Sequence, residues 1–192
     1  MTAMAASYPL RFDVEYPERL SRWLIFVKWL LAIPHFIVLY LLALVAYVII
    51  VIAWFAILFT GRYPEGLFNF VVGFYRWNAN ISAYILLMRD EYPPFTWEAG
   101  RYHLTLEIDY PERLSRWLIF VKWLFVIPSV IVLMVLGLAY YVTLIIAWFA
   151  ILFTGRYPKG LFSFAVGVMR WSARANAYVY LLTDKYPPFS LS

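Results

Sequence analysis

Cysteine is absent from the 192-residue chain, and histidine occurs only twice, at His35 and His103. The lack of cysteine excludes disulfide bonds, thiol catalysis, iron–sulfur clusters and Cys-ligated zinc. Two scattered histidines do not supply the several matched ligands that a metal site needs. The sequence therefore predicts neither a metal nor a resident cofactor.

Catalytic motifs are absent as well. The sequence contains no glycine-rich phosphate loop, no nucleophile elbow and no zinc signature. Most of its carboxylates fall in a repeated Tyr-Pro-Glu-Arg-Leu motif, a linker and the segments around Tyr-Pro-Pro-Phe. Glu18 and Glu112 complement helix N-termini better than they serve acid–base chemistry. We predict no catalytic residue and no enzymatic activity.

Charge is scarce and apolar residues are abundant. Only 14% of residues are charged and 65% are hydrophobic, whereas soluble domains carry about a quarter charged residues. A domain of this size cannot hide that excess, so lipid is the expected solvent. The 21% aromatic content suits membrane–water interfaces, and the net charge of +5 suits anionic headgroups rather than nucleic acid. We therefore expect an integral membrane protein.

An internal repeat organises the chain. Residues 16–30 recur unchanged as 110–124, and residues 53–64 recur as 147–158, always 94 positions later. The Tyr-Pro-Pro-Phe of 92–95 recurs as 186–189. Two copies this similar should adopt one fold with pseudo-symmetry between them. We divide the chain into a first repeat (1–96), a linker (97–101) and a second repeat (102–192).

Each repeat is predicted to open with a strand and an interfacial helix. Residues 10–16 and 104–110 alternate apolar and polar side chains, which favours half-buried strands that pair antiparallel, although unpaired extended segments remain an alternative. Residues 17–33 and 111–127 place basic and Trp side chains along an amphipathic helix, typical of the membrane interface. The alternative is one bent helix running on past Pro34. The predicted interfacial anchors are Arg19, Arg22, Trp23, Lys28, Arg113, Arg116, Trp117 and Lys122.

Two uncharged stretches, residues 35–59 and 129–153, are the predicted transmembrane helices. At a rise of about 1.5 Å per residue, each is long enough to cross a bilayer with some tilt. Residues 1–9 lack the basic start and apolar core of a cleavable signal, so we expect the first stretch to remain as an anchor.

A second helix in each repeat, 66–88 and 160–182, is predicted either to span the bilayer or to lie in its interface. Polar and small residues recur along one face of it. Arg76, Asn80, Arg170 and Arg174 are the candidate residues for binding lipid or a partner, since an ionisable residue at membrane depth suggests function. Snorkelling to the headgroups is the alternative. Asn78, Ser82, Ser172 and Asn176 form a second polar patch.

The orientation of the repeats bears on the number of spans. Both repeats share the same basic start, and Lys/Arg bias sets orientation, so an even number of spans per repeat would place both the same way up. We therefore favour four spans, a multi-pass topology with cytoplasmic termini. On this interpretation only Arg62, Arg156 and Lys159 face the opposite side of the membrane.

The motifs resemble a known family. The paired Tyr-Pro-Glu-Arg-Leu-Ser-Arg-Trp-Leu, the Phe-Thr-Gly-Arg-Tyr-Pro turn and the closing Tyr-Pro-Pro-Phe are similar to a bacterial membrane family catalogued as domain of unknown function 4389, in its tandem double-repeat form. The resemblance covers about 16–95 and 110–189. It implies a location in a bacterial plasma membrane and the double layout, and it brings no activity, cofactor or catalytic residue.

The expected architecture is therefore an all-α integral membrane protein of two tandem pseudo-symmetric repeats with short strands before each. The expected function is that of a non-catalytic structural or accessory subunit. Its expected partners are membrane lipids, anionic ones above all, and either further copies of itself or a membrane complex. The alternative is a small oligomeric transporter or channel with an arginine-lined anion path.

Overall fold

The computed structural model describes residues 8–192, so residues 1–7, and the prediction about a signal there, lie outside the described residues. The described chain forms two strands, six α-helices and two single 3₁₀ turns. The elements of the first repeat are β1 (Leu10–Val14), α1 (Lys28–Leu31), α2 (Ile33–Thr60) and α3 (Glu65–Ile85). Those of the second are β2 (Leu104–Ile108), α4 (Lys122–Phe125), α5 (Ile127–Thr154) and α6 (Lys159–Val179).

The two strands pair with each other, which confirms the predicted sheet. They run antiparallel, with Leu10 opposite Ile108 and Phe12 opposite Leu106. Side chains alternate along each strand, so one face of the sheet is apolar and buried while the other carries the polar residues. One repeat contributes only a single strand, and the second repeat supplies the strand that pairs with it.

The long helices α2 and α5 confirm the two uncharged stretches as continuous helices of 28 residues each. Pro34 lies in the first turn of α2, where its missing N–H is not needed. Gly61 ends the helix in a left-handed conformation with φ of 70°. Both helices are long and apolar enough to cross a membrane, and in each only 17% of the most apolar window is buried.

The helices α3 and α6 form the middle of the molecule and end a few residues before their predicted limits. Each folds back on the preceding long helix, which gives a first hairpin (α2–α3) and a second hairpin (α5–α6). On the opposite side α3 packs against β2, and α6 packs against β1. Within residues 8–192, only α2 and α5 have the length and apolarity of a membrane span.

The predicted continuous helices over 17–33 and 111–127 are wrong in their extent. Each region holds only a 3₁₀ turn, Leu24–Phe26 or Leu118–Phe120, and the four-residue helix α1 or α4. The cause is tertiary: the Leu20 N–H donates to the Gly155 carbonyl at 2.8 Å, and the Ser21 N–H donates to the Asp90 carboxylate. Backbone donors committed to distant partners cannot begin a helix at Pro17.

The two hairpins lie antiparallel and exchange contacts at their ends. We call residues 16–26 and 110–120 the leading segments. The first reaches the turn of the second hairpin through Leu20 and Gly155, and the second reaches the turn of the first through Leu114 and Gly61 at 2.9 Å. Arg62 therefore lies beside Arg113 and Arg116. The predicted placement of Arg62 on the opposite side from those residues is wrong.

Candidate functional site

Arg76 and Arg170, predicted to bind lipid or a partner, hold the strands onto the helices. The Arg76 Nε donates to the Leu106 carbonyl at 2.9 Å, and its Nη1 donates to the Trp97 carbonyl at 2.7 Å. Arg170 repeats both contacts with the carbonyls of Phe12 and Leu191, at 2.7 and 3.0 Å. Each guanidinium group therefore satisfies one strand carbonyl and one carbonyl of the segment that follows a Tyr-Pro-Pro-Phe motif.

Arg174 and Asn80 occupy matching positions in the two repeats but have different surroundings. The Arg174 side chain is buried, with Nη2 donating to the Ser192 carbonyl at 2.7 Å and the guanidinium over the Tyr8 ring at 5.5 Å. Asn80 is also buried, and its Oδ1 has no hydrogen-bond partner within residues 8–192. The three arginines thus do not form the row of free cations that an anion path requires.

Six of the eight predicted interfacial anchors lie on the surface. Trp23 and Trp117 are 81% and 82% exposed, far more than a tryptophan in a soluble core. Arg19, Arg22, Arg113 and Arg116 are exposed beside them on the leading segments. Trp and Arg side by side on an exposed segment are typical of a headgroup contact.

Lys28 and Lys122, predicted as anchors as well, lie inside the molecule instead. Each ammonium group is 2% exposed and forms an ion pair at 2.8 Å, with Asp90 or Asp184 respectively. Each also donates to a backbone carbonyl, of Arg89 at 2.6 Å or of Thr183 at 2.7 Å. Burial lowers the pKa of both lysines, and the paired aspartates oppose that shift. These pairs tie the start of each long helix to the end of its hairpin.

The largest exposed feature is an apolar surface formed by α2 and α5. Only a narrow stripe of each helix, at positions such as Leu39, Ala46 and Ala53 of α2, is buried against the neighbouring helix. The other sides expose large side chains, among them Tyr40 and Phe59 at 67% and 72%. Large exposed apolar surfaces are typical of proteins that contact lipid or another protein.

A cavity of about 230 Å³ lies between the first hairpin and α6, and the sequence did not reveal it as a cavity. Its polar lining is Tyr47, Tyr75, Asn78, Asn176 and Tyr180. The Asn176 amide donates to the Tyr75 hydroxyl at 3.2 Å. Asn78 and Asn176 belong to the second polar patch identified in the sequence, and that patch was the only indication of the cavity in the sequence pattern. Phenol and amide groups can bind a neutral polar molecule or water.

Within residues 8–192 no cluster of three or more His, Cys, Asp or Glu side chains has the geometry to hold a metal ion. His35 is buried, accepts a hydrogen bond from the Trp77 Nε1 at 3.2 Å and stacks on Phe95. His103 lies beside the carboxylates of Glu15 and Glu91 at the surface.

The duplicated layout and the turn motif have a counterpart among known protein families. The sequence profile of the family described as Domain of unknown function (DUF4389) matches residues 22–96 and, separately, residues 116–190. The chain belongs to this family. Searches of curated proteins and of solved structures find no match.

The bounds of the two DUF4389 matches separate the part of each repeat that the family shares from the segments that flank it. Each match includes one hairpin, its turn and the closing Tyr-Pro-Pro-Phe, which confirms the predicted double repeat. The strands β1 and β2 precede the matched residues. The sheet that joins the two repeats is therefore built from segments outside the family match.

Proposed function

We propose that this DUF4389 chain is a non-catalytic membrane protein with a structural or accessory role. Its apolar surface on α2 and α5 contacts acyl chains, and its leading segments contact anionic headgroups. The observation that carries the proposal is the continuity of the two features: exposed aliphatic side chains on the long helices border exposed Trp and Arg side chains on the leading segments. A lipid bilayer has the same order of layers, with apolar acyl chains next to charged headgroups.

The distribution of charge supports a lipid partner over a protein one. Arg19, Arg22, Arg113 and Arg116 are exposed and take part in no ion pair within residues 8–192. Most described acidic side chains, in contrast, are paired with a neighbouring cation. Free cations near a membrane surface attract anionic lipid by about 1 kcal/mol each. We infer that the basic side chains bind phosphate-bearing headgroups.

Two measurements test this function. Membranes from expressing cells are washed with alkaline carbonate, and we expect the chain to stay in the pellet and to need detergent for release. Native mass spectrometry of the detergent-extracted protein then counts bound lipids and subunits together. We expect anionic lipid adducts on the parent chain.

A matched pair of variants separates headgroup contact from non-specific attraction. We expect R19Q/R22Q/R113Q/R116Q to lose most of the anionic adducts. R11Q serves as the control, because Arg11 is exposed but already paired with Glu107 and Asp109 on the sheet. Release of the parent chain by carbonate, or equal adducts on both variants, would count against the proposal.

A further inference from the structure

The segments that contain β1 and β2 extend along the full length of the hairpins. At one end of the second hairpin the Tyr8 hydroxyl donates to the carbonyls of Arg174 and Lys185, at 3.3 and 3.2 Å. At the other end the Tyr16 hydroxyl donates to the Tyr157 carbonyl, at the hairpin turn, at 2.6 Å. β1 and its flanking residues therefore lie along α6 from one end to the other, and the second repeat has the equivalent arrangement.

The outer face of this sheet is charged. Arg11 forms ion pairs with Glu107 at 3.3 Å and with Asp109 at 3.2 Å, and the Arg11 and Asp109 side chains are about two-thirds exposed. Asp13, paired with Arg170 at 3.0 Å, has a side chain that is 71% exposed. These groups lie along the length of α3 and α6 rather than beyond their ends.

A transmembrane orientation of the hairpins would place that charged face among acyl chains. If α2 and α5 crossed the bilayer, α3 and α6 would cross it with them, and the sheet would lie at the depth of the hydrocarbon. Each charged side chain at the bilayer centre costs about 2.5–3.5 kcal/mol on an insertion scale. The exposed edges of a two-stranded sheet would also leave backbone groups without partners in lipid.

The antiparallel hairpins give a second reason. Because each hairpin turn lies beside the start of the other hairpin, a transmembrane orientation would divide the basic residues between the two sides. Arg62, Arg113 and Arg116 would lie on one side, and Arg156, Arg19 and Arg22 on the other. Such a division leaves no Lys/Arg bias to set an orientation.

We propose that α2 and α5 lie flat in a single leaflet, with the sheet in water above them and both hairpin turns on that same side. The inference rests on the proposed function and specifies its geometry. The apolar surface then faces the acyl chains, α3 and α6 form the layer above it, and the exposed Trp and Arg side chains surround the apolar surface at headgroup depth. A helix about 10 Å in diameter fits within one leaflet, whose hydrocarbon is about 15 Å thick. An in-plane helix buries its apolar face about 5–10 Å deep.

Single-cysteine labelling tests this arrangement, because the chain contains no cysteine of its own. The variants are R62C and R156C at the two hairpin turns, T105C on the outer face of the sheet and M134C on the exposed side of α5. Each is treated with a membrane-impermeant maleimide in right-side-out and in inside-out vesicles from expressing cells. Far-UV circular dichroism of the purified variants checks that each remains folded.

We expect R62C, R156C and T105C to label in the same vesicle preparation and not in the other, and M134C to label only after detergent is added. Labelling of R62C and R156C in opposite preparations, with T105C protected, would overturn the in-plane arrangement and leave the membrane function intact. Labelling of M134C in a detergent-free soluble fraction would instead overturn the proposed function itself.

Discussion

The two repeats of this DUF4389 chain share their buried ion pairs but differ at several other buried positions. The buried ion pairs Lys28–Asp90 and Lys122–Asp184 both measure 2.8 Å. Asn80 matches Arg174, His35 matches Ser129, and Ala46 at the cavity matches the buried Tyr140. The shared contacts define the fold, whereas the differing positions give each repeat its own buried contacts. Each pair of matching positions is a built-in control for the following experiments.

The largest effect is expected from removing one partner of a buried ion pair. Methionine at position 28 keeps most of the lysine volume but leaves Asp90 unpaired. Breaking such a pair costs about 3–5 kcal/mol, and we expect the lower end because Asp90 is partly exposed. Denaturant unfolding in nonionic detergent should show equal losses for K28M and K122M. R19M, at an exposed arginine, should change stability little, and a K28M as stable as the parent would refute the role of the pair.

A smaller and unequal effect is expected at the matching glycines Gly73 and Gly167. A Cβ at Gly167 would lie 2.8 Å from the Leu191 Cβ and 2.9 Å from its carbonyl oxygen, which accepts a hydrogen bond from Arg170. At Gly73 the nearest atoms belong to Trp97, at 3.1 Å. Overpacking costs about 1–3 kcal/mol, so we expect G167A to lose more stability than G73A.

Limited proteolysis provides the second measurement for the glycine pair. We expect G167A to release the segment around Leu191 and to make it susceptible to cleavage. Nothing lies within 4 Å of a Cβ at Gly160, so G160A is the matched control. The free energy of unfolding of G160A should rise by up to about 1 kcal/mol, because alanine has a higher helix propensity than glycine. Equal losses in G167A and G160A would contradict the packing explanation.

A smaller loss of stability than at Gly167 is expected at Arg174, and almost none at Asn80. Replacing Arg174 with Asn removes the hydrogen bond to Ser192 and the contact with the Tyr8 ring. We expect R174N to lose about 1–2 kcal/mol. N80A should be close to neutral, because the Asn80 Oδ1 has no partner among residues 8–192. Thermal unfolding of both variants in detergent measures the difference, and a greater loss in N80A would reverse the interpretation.

The smallest effect is expected where His35 matches Ser129. H35S removes the stack on Phe95, whose ring centroid lies 3.9 Å away, and the acceptor of the Trp77 N–H. We expect a loss of about 1 kcal/mol. S129A removes only the contact between the Ser129 and Tyr186 hydroxyls at 3.0 Å and should lose less. Equal midpoints in a thermal unfolding comparison would show that the stack contributes nothing.

The elements set by local pattern could be predicted from the sequence. The alternation of residues 10–16 and its repetition at 104–110 indicated a strand pair, and uncharged runs indicated α2 and α5. Each of these features depends on side chains within a few positions of one another. The family resemblance was confirmed for the same reason, because its motifs are contiguous.

The leading segments and the arginines could not be predicted, because distant contacts determine them. The partner of Leu20 is Gly155, and a count of basic residues does not show that these segments adjoin the opposite turn. Helical spacing identified the stripe that contains Arg76 and Arg170. It did not show that strand carbonyls would satisfy their guanidinium groups. Lys28 likewise matches an amphipathic surface pattern but is buried, with the Asp90 carboxylate and the Arg89 carbonyl as its partners.

The exchanged contacts at the hairpin turns impose an order on biosynthesis. The Leu20 N–H has its acceptor on Gly155, so the first repeat stays incomplete on the ribosome until most of the second has been translated. Until then the side of α3 that packs against β2 stays uncovered.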